Sequence, residues 1–184
     1  MTHVVLIGFM GCGKSVVGRR LARRLGFGFV DLDHHIESSA GRSVADIFAD
    51  DGEAAFRRLE RDAVAALDGE LSASGPTVVA TGGGTFVDAD NRRALHALGV
   101  VVCLVISLET VLDRVSGSPH RPLASGPGAR ERLERLYDER MPIYREADVL
   151  VETDHLTIDQ AVSRVAAMIQ PRLKAAPRRA GGAT

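Results

Sequence analysis

Apolar residues are concentrated in five short runs, at residues 4–7, 27–31, 77–81, 100–106 and 149–152. Valine recurs in all of them, and their lengths suit β-strands. Between the runs the apolar positions change to helical spacing, as at Val17, Leu21, Ala22 and Leu25. That spacing predicts helices over 14–25, 33–40, 44–50, 53–67, 88–98, 108–115, 129–140 and 158–173. Strands alternating with helices imply a parallel sheet covered on both faces. The run Val100-Val101-Val102-Cys103-Leu104-Val105-Ile106 has no polar side, as a strand buried on both faces requires.

Two stretches depart from this alternation. Residues 33–67 carry several helices where one crossover would suffice, which predicts a small appended subdomain. Residues 116–128, rich in Gly, Pro and Ser, read as a mobile loop. Residues 171–184 are mostly Ala, Arg, Gly and Pro and are expected to form a disordered tail. The remainder, 1–170, is one domain, a size at which a single core forms readily.

Composition narrows the partners. A net charge of −1 gives no field for nucleic acid or an anionic membrane. No apolar run approaches the roughly 20 residues that span a bilayer. The first strand starts almost at Met1, leaving no room for a signal peptide, so a cytoplasmic protein is expected. Cys12 and Cys103 fall in a loop and a strand and are expected to be free thiols. Lys14 and Lys174 are the only lysines among 23 basic residues.

The chemistry begins at Gly8-Phe9-Met10-Gly11-Cys12-Gly13-Lys14-Ser15, which fits G-x-x-x-x-G-K-[ST] between an expected strand and an expected helix. In that setting backbone N–H groups and a helix N-terminus face a phosphate. Lys14 would reach the β- and γ-phosphates and the Ser15 hydroxyl would ligate Mg²⁺. The acceptor must be read from other residues. The second strand ends in Asp31-Leu32-Asp33, where one carboxylate could serve the Mg²⁺ shell and the other could take a proton from an attacking hydroxyl. A helix cap by Asp33 is the competing use. Neither 77–81 nor 100–106 ends in an acidic residue, so Asp31 is assigned to the metal, through water. Gly82-Gly83-Gly84 suits close approach of backbone to a ligand. Arg57, Arg121 and Arg140 could each grip an anion, since a guanidinium fork matches a carboxylate or phosphate.

These motifs, taken in order with Ile36-Glu37, Gly41-Arg42-Ser43, Ile47-Phe48, Gly52-Glu53, Phe56-Arg57, Arg121-Pro122-Leu123 and Arg140-x-Pro142-x-Tyr144, resemble the shikimate kinase family over residues 3–170. The resemblance implies an α/β three-layer P-loop kinase fold. It would have a five-stranded parallel sheet in the order 2-3-1-4-5, a substrate-binding subdomain near 33–67 and a lid near 116–128. It implies transfer of the γ-phosphate of MgATP to the 3-hydroxyl of shikimate, in aromatic amino acid biosynthesis. By matching position, Asp33 is the base and binds the shikimate hydroxyls, while Arg57 and Arg140 hold the carboxylate. Gly83, with Gly82 and Gly84 beside it, contacts the ring. ATP falls to Gly11, Cys12, Gly13, Lys14, Ser15 and Val16, with Arg114 near the adenine and Arg121 folding onto the phosphates. Lys14 and Arg121 are thereby catalytic alongside Asp33. A second adenine contact should lie within 153–156. ATP and shikimate are the only expected partners, and a monomer is expected.

Two rivals share the phosphate loop: a gluconate or nucleoside monophosphate kinase of the same fold, and a catalytically silent nucleotide-binding module. Neither accounts for the glycine triplet together with the spaced arginines. Cys12 stands where Ala or Ser is frequent in such loops. A thiol at a helix N-terminus beside a lysine should ionise readily, so alkylation there is expected to block ATP, and packing as a small filler is the alternative.

Overall fold

The computed structural model describes residues 2–115 and 128–175. Strands β1 (His3–Ile7), β2 (Gly28–Asp31), β3 (Thr77–Ala80), β4 (Gly99–Val105) and β5 (Val149–Glu152) form one parallel sheet in the order β2-β3-β1-β4-β5. This is the expected order. Helices α1 (Lys14–Leu25), α2 (Leu32–Ala40), α3 (Val44–Asp50), α4 (Gly52–Leu71), α5 (Ala89–Leu98), α6 (Leu108–Val115), α7 (Ala129–Tyr144) and α8 (Ile158–Ala175) complete the chain, with a 3₁₀ turn at Thr85–Val87.

β1 lies at the centre, between β3 and β4, and every one of its residues is buried. β3 is likewise buried throughout. Both faces are therefore covered, as the unbroken apolar runs require. Against this sheet α1 packs Val17, Leu21 and Ala22, and Gly18 lets it approach: a Cβ there would stand 2.8 Å from the Phe29 ring. A helix held this close places its N-terminus, at Lys14, directly after the loop that leaves β1.

Three boundaries differ from the sequence expectation by two residues or more. α4 runs to Leu71 rather than 67, because Leu67 and Leu71 continue its buried face. α7 does not stop at Arg140 but passes through Pro142 to Tyr144. Proline keeps a helix-compatible φ and removes only its own N–H, and buried Met141 and Tyr144 anchor the last turn. α8 reaches Ala175, so the first five residues assigned to a disordered tail are helical. Leu173 packs against the core there, and Arg172 donates to the Asp148 carbonyl at 2.7 Å. The 3₁₀ turn had no signature at the level of periodicity.

α2, α3 and α4 follow one another between β2 and β3, with α2 and α3 packed on α4. Phe48 and Phe56 meet at 4.8 Å between centroids, and Ser43 caps α3 by accepting from the Asp46 N–H. The mobile loop expected at 116–128 falls outside the described residues except for Gly128, as does residue 176 onward.

Candidate active site

The loop between β1 and α1 is built on glycines in conformations other residues resist. Gly8 has φ 140°, and a Cβ on it would lie 2.5 Å from the Leu104 carbonyl oxygen. Gly13, at φ 92°, precedes α1 as its cap, with no side chain bonded to the helix N-terminus and no acidic residue in the first turn. The first N–H groups of α1 are thus left for an external acceptor, and the helix dipole there favours an anion. Lys14 folds back along the loop, its Nζ donating to the Gly8 carbonyl at 2.8 Å and to the Phe9 carbonyl at 3.1 Å. Arg114, from α6, donates to the Gly11 carbonyl at 3.1 Å, which brings it to the edge of the loop. Val16 is exposed at the start of α1.

Cys12 is 3% exposed, and its Sγ lies beneath the loop, 3.0 Å from where a Gly8 Cβ would stand. The sulfur is thus almost wholly buried, with Lys14 Nζ 3.7 Å away. Both thiols are free. Burial pushes the Cys103 thiol up to about 12.

Asp33 sits in the first turn of α2 and is not its cap. Asp31 occupies the cap position, and its side chain makes no capping bond. Asp33 instead turns toward the phosphate loop and the glycine triplet. Burial lifts its carboxyl to about 6, opposed by the Lys14 ammonium and reinforced by the charges of Asp31, Glu60 and Glu37. Asp33 thus feels the charges of both Lys14 and Asp31.

The glycine triplet follows β3. Its glycines are required by their own neighbours more than by backbone angle. A Cβ on Gly82 would meet Asp33 Oδ1 at 2.7 Å, and one on Gly84 would meet both terminal nitrogens of Arg57 at 2.6 Å. Asp33 and the Arg57 guanidinium thus lie against bare backbone. Gly83 abuts the phosphate loop, its Cβ position 3.5 Å from the Met10 nitrogen, so the triplet and the phosphate loop form adjoining walls.

Arg57 is held from α4 by Glu53, at 3.0 Å, and by Glu60, at 2.8 Å. Glu60 is 1% exposed, and its second oxygen accepts the Thr85 hydroxyl at 2.6 Å. A buried carboxylate with both oxygens bonded is a fixed anchor for a guanidinium. Asn91, itself buried, donates to the Thr85 carbonyl at 3.2 Å. On the opposite side Arg140 donates to the Gly83 carbonyl at 3.3 Å and lies 5.9 Å from the centroid of Phe9 in the phosphate loop. The Tyr144 hydroxyl donates to the same carbonyl.

The structure therefore gathers Lys14, Asp33, Arg57, Gly82, Gly83, Gly84 and Arg140 around one region. Ser15 starts α1 beside Lys14, and Asp31 ends β2 beside Asp33. Arg121 lies outside the described residues. Glu60, Thr85 and Tyr144 carried no role in the sequence reading. Glu60 stands three residues after Arg57, a helical pairing distance that could have drawn attention to it; Tyr144 stood in the Arg140-x-Pro142-x-Tyr144 motif without a role, and the Thr85 contact crosses between elements and has no sequence signal.

A family model described as shikimate kinase matches residues 10–170. The chain belongs to the shikimate kinase family. Its relatives include a shikimate kinase of Paramagnetospirillum magneticum, 48% identical over 88% of this chain and 81% of that protein. One from Thermus thermophilus is 44% identical over 89% and 88%. Among solved structures, shikimate kinase from Acinetobacter baumannii in complex with shikimate superposes with a TM-score of 0.84 at 35% identity, covering 94% of this chain and 96% of that one. Shikimate kinase from Aquifex aeolicus superposes at 0.80 with 31% identity, covering 94% and 98%. Shikimate kinases are ATP-dependent phosphotransferases that act on a shikimate hydroxyl.

Proposed function

We propose that this protein transfers the γ-phosphate of ATP to the 3-hydroxyl of shikimate, with Asp33 as the base. The observation that carries this reading is the convergence of Asp33, Arg57, Arg140 and the glycine triplet on a wall that adjoins the phosphate loop. A carboxylate, a set of ring hydroxyls and a γ-phosphate each find a matching group there.

Arg57 and Arg140 hold the substrate carboxylate from two sides. Each guanidinium keeps N–H donors beyond those bonded within the protein. Asp33 accepts a hydrogen bond from the attacking hydroxyl and takes its proton as the oxygen bonds to phosphorus. A carboxyl near 6 suits that work at neutral pH, since it is ionised yet less feeble a base than an ordinary aspartate. Lys14 exchanges its loop carbonyls for phosphate oxygens and offsets the charge that builds on the β–γ bridging oxygen of ATP as it leaves on the β-phosphate of ADP. Arg121, from the 116–128 segment, would add a cation to the phosphates and exclude water as a competing acceptor.

Ser15 and Asp31 suit Mg²⁺: both are hard oxygen donors, and among the described residues no group of three or more His, Cys, Asp or Glu forms a protein cage. When bound at Ser15 and Asp31, the ion would neutralise phosphate charge. Arg114, at the loop's edge, and the segment 153–156 would border the adenine. Two buried free thiols agree with the reducing cytoplasm. No helix among the described residues is long and apolar enough to cross a membrane. We assign the working unit to the monomer, in which one chain supplies every group named above.

The direct test exchanges the two carboxylate ligands. Arg140→Ala and Arg57→Ala should each raise the KM for shikimate by one to two orders of magnitude, the cost of losing a charge-assisted hydrogen bond. The KM for ATP should change little. Equal loss for both substrates would refute the assignment.

A further inference from the structure

Tyr144 is the largest of the fully buried side chains, 1% exposed, and yet its hydroxyl is not spent on the core. It donates to the carbonyl of Gly83. Arg140, one helical turn earlier on α7, donates to that same oxygen at 3.3 Å. Residues four apart lie on one face of a helix, so both reach the carbonyl only because α7 continues past Pro142. A helix ended at Arg140, as the proline suggests, would leave the phenol elsewhere.

We propose that Tyr144 is a positioning residue for the substrate carboxylate: by sharing the Gly83 carbonyl with Arg140, its hydroxyl fixes where that guanidinium and the glycine wall stand relative to each other. The proposal rests on the reading that Arg140 and Gly83 belong to the shikimate subsite. At 3.3 Å the Arg140 bond is long and restrains the guanidinium weakly, leaving its other donors for a ligand. Tyr144, held by the core, brings a second donor to the same carbonyl. Burial raises its pKa well above the ordinary phenol, so it remains a donor at any working pH. The carbonyl belongs to the glycine whose Cβ position faces Met10, so the same peptide plane also borders the phosphate loop.

The test is a double-mutant cycle read in shikimate kinetics. Tyr144→Phe removes one oxygen and keeps the ring that fills the core. It should raise the KM for shikimate about ten-fold, with the KM for ATP changed less than two-fold. In an Arg140→Ala background the same substitution should raise it no more than about two-fold, because the group being positioned is gone. Ten-fold losses in both backgrounds, or equal losses for shikimate and ATP, would make Tyr144 a packing residue and overturn the proposal. If Arg140→Ala alone leaves the shikimate KM unchanged, the subsite reading fails first, and the two failures are distinguishable.

A second measurement does not depend on Tyr144→Phe folding. The chain has only two tyrosines, Tyr137 and Tyr144. Fluorotyrosine incorporation therefore gives two ¹⁹F resonances, assigned with Tyr137→Phe. The Tyr144 signal should move when shikimate saturates the wild-type protein and should not respond to shikimate in Arg140→Ala. A signal indifferent to shikimate in the wild-type protein would overturn the proposal.

Discussion

Burial that lifts the Asp33 carboxyl to about 6 acts on activity and on folding in opposite senses. With Asp33 as the proposed base, activity needs the ionised form, so kcat/KM for shikimate should fall as the pH is lowered through about 6. For folding the sign reverses. The unfolded carboxyl titrates near 3.8, so between about 4 and 6 the folded state holds a proton that the unfolded state has released. This group's contribution to stability therefore declines as the pH rises across that window, and above it the cost is constant, at most about 3 kcal/mol. Asp33→Asn should abolish turnover and raise Tm by several degrees, read by calorimetry at pH 7.5. A lowered Tm would show that the carboxylate is stabilising and the account of its environment wrong. The glycines make a second prediction at this scale. Gly84→Ala would place a methyl against Arg57, and Gly82→Ala would place one against Asp33. The first should raise the shikimate KM by about ten-fold with kcat mostly kept, and the second should depress kcat. Identical effects from the two would contradict the separate roles.

Elements carry the site through contacts that no local pattern reveals. The glycine triplet was legible as an unusual run, yet its reason was not: the neighbours that exclude a Cβ come from α2 and α4, far away in sequence. Glu60 reads in sequence as one more acidic residue on a charged helix, whereas in the fold it is buried and bonded to both Arg57 and Thr85. Thr85 in turn lies in a 3₁₀ turn too short to show a period. Pro142 pointed to the wrong end for α7, because a rule for isolated helices gave way to the burial of Met141 and Tyr144. The Thr85 link is open to test. Thr85→Val keeps the shape and removes the hydroxyl that bonds Glu60, while Thr85→Ser keeps the hydroxyl. The valine variant should raise the shikimate KM several-fold and the serine variant should not. Matching losses would mean that the methyl group, not the hydrogen bond, is what the site needs.

For the whole molecule, strand positions and a parallel sheet were legible because a sheet buried on both faces leaves long apolar runs alternating with helices, whereas the strand order came only from the family resemblance. The phosphate loop was legible for a related reason, since its glycines and lysine are local in sequence. What could not be read was how the two walls meet, because the approach of Gly83 to Met10 is a product of the closed fold. The central claim is that these walls hold ATP and shikimate together and nothing else as well. The measurement that tests it most directly is ADP release from MgATP with shikimate, with gluconate, with a nucleoside monophosphate and with no acceptor. The account predicts turnover that depends on shikimate alone. ADP release with gluconate or a nucleoside monophosphate at a comparable kcat/KM, or ATP binding without turnover on any acceptor, would contradict it.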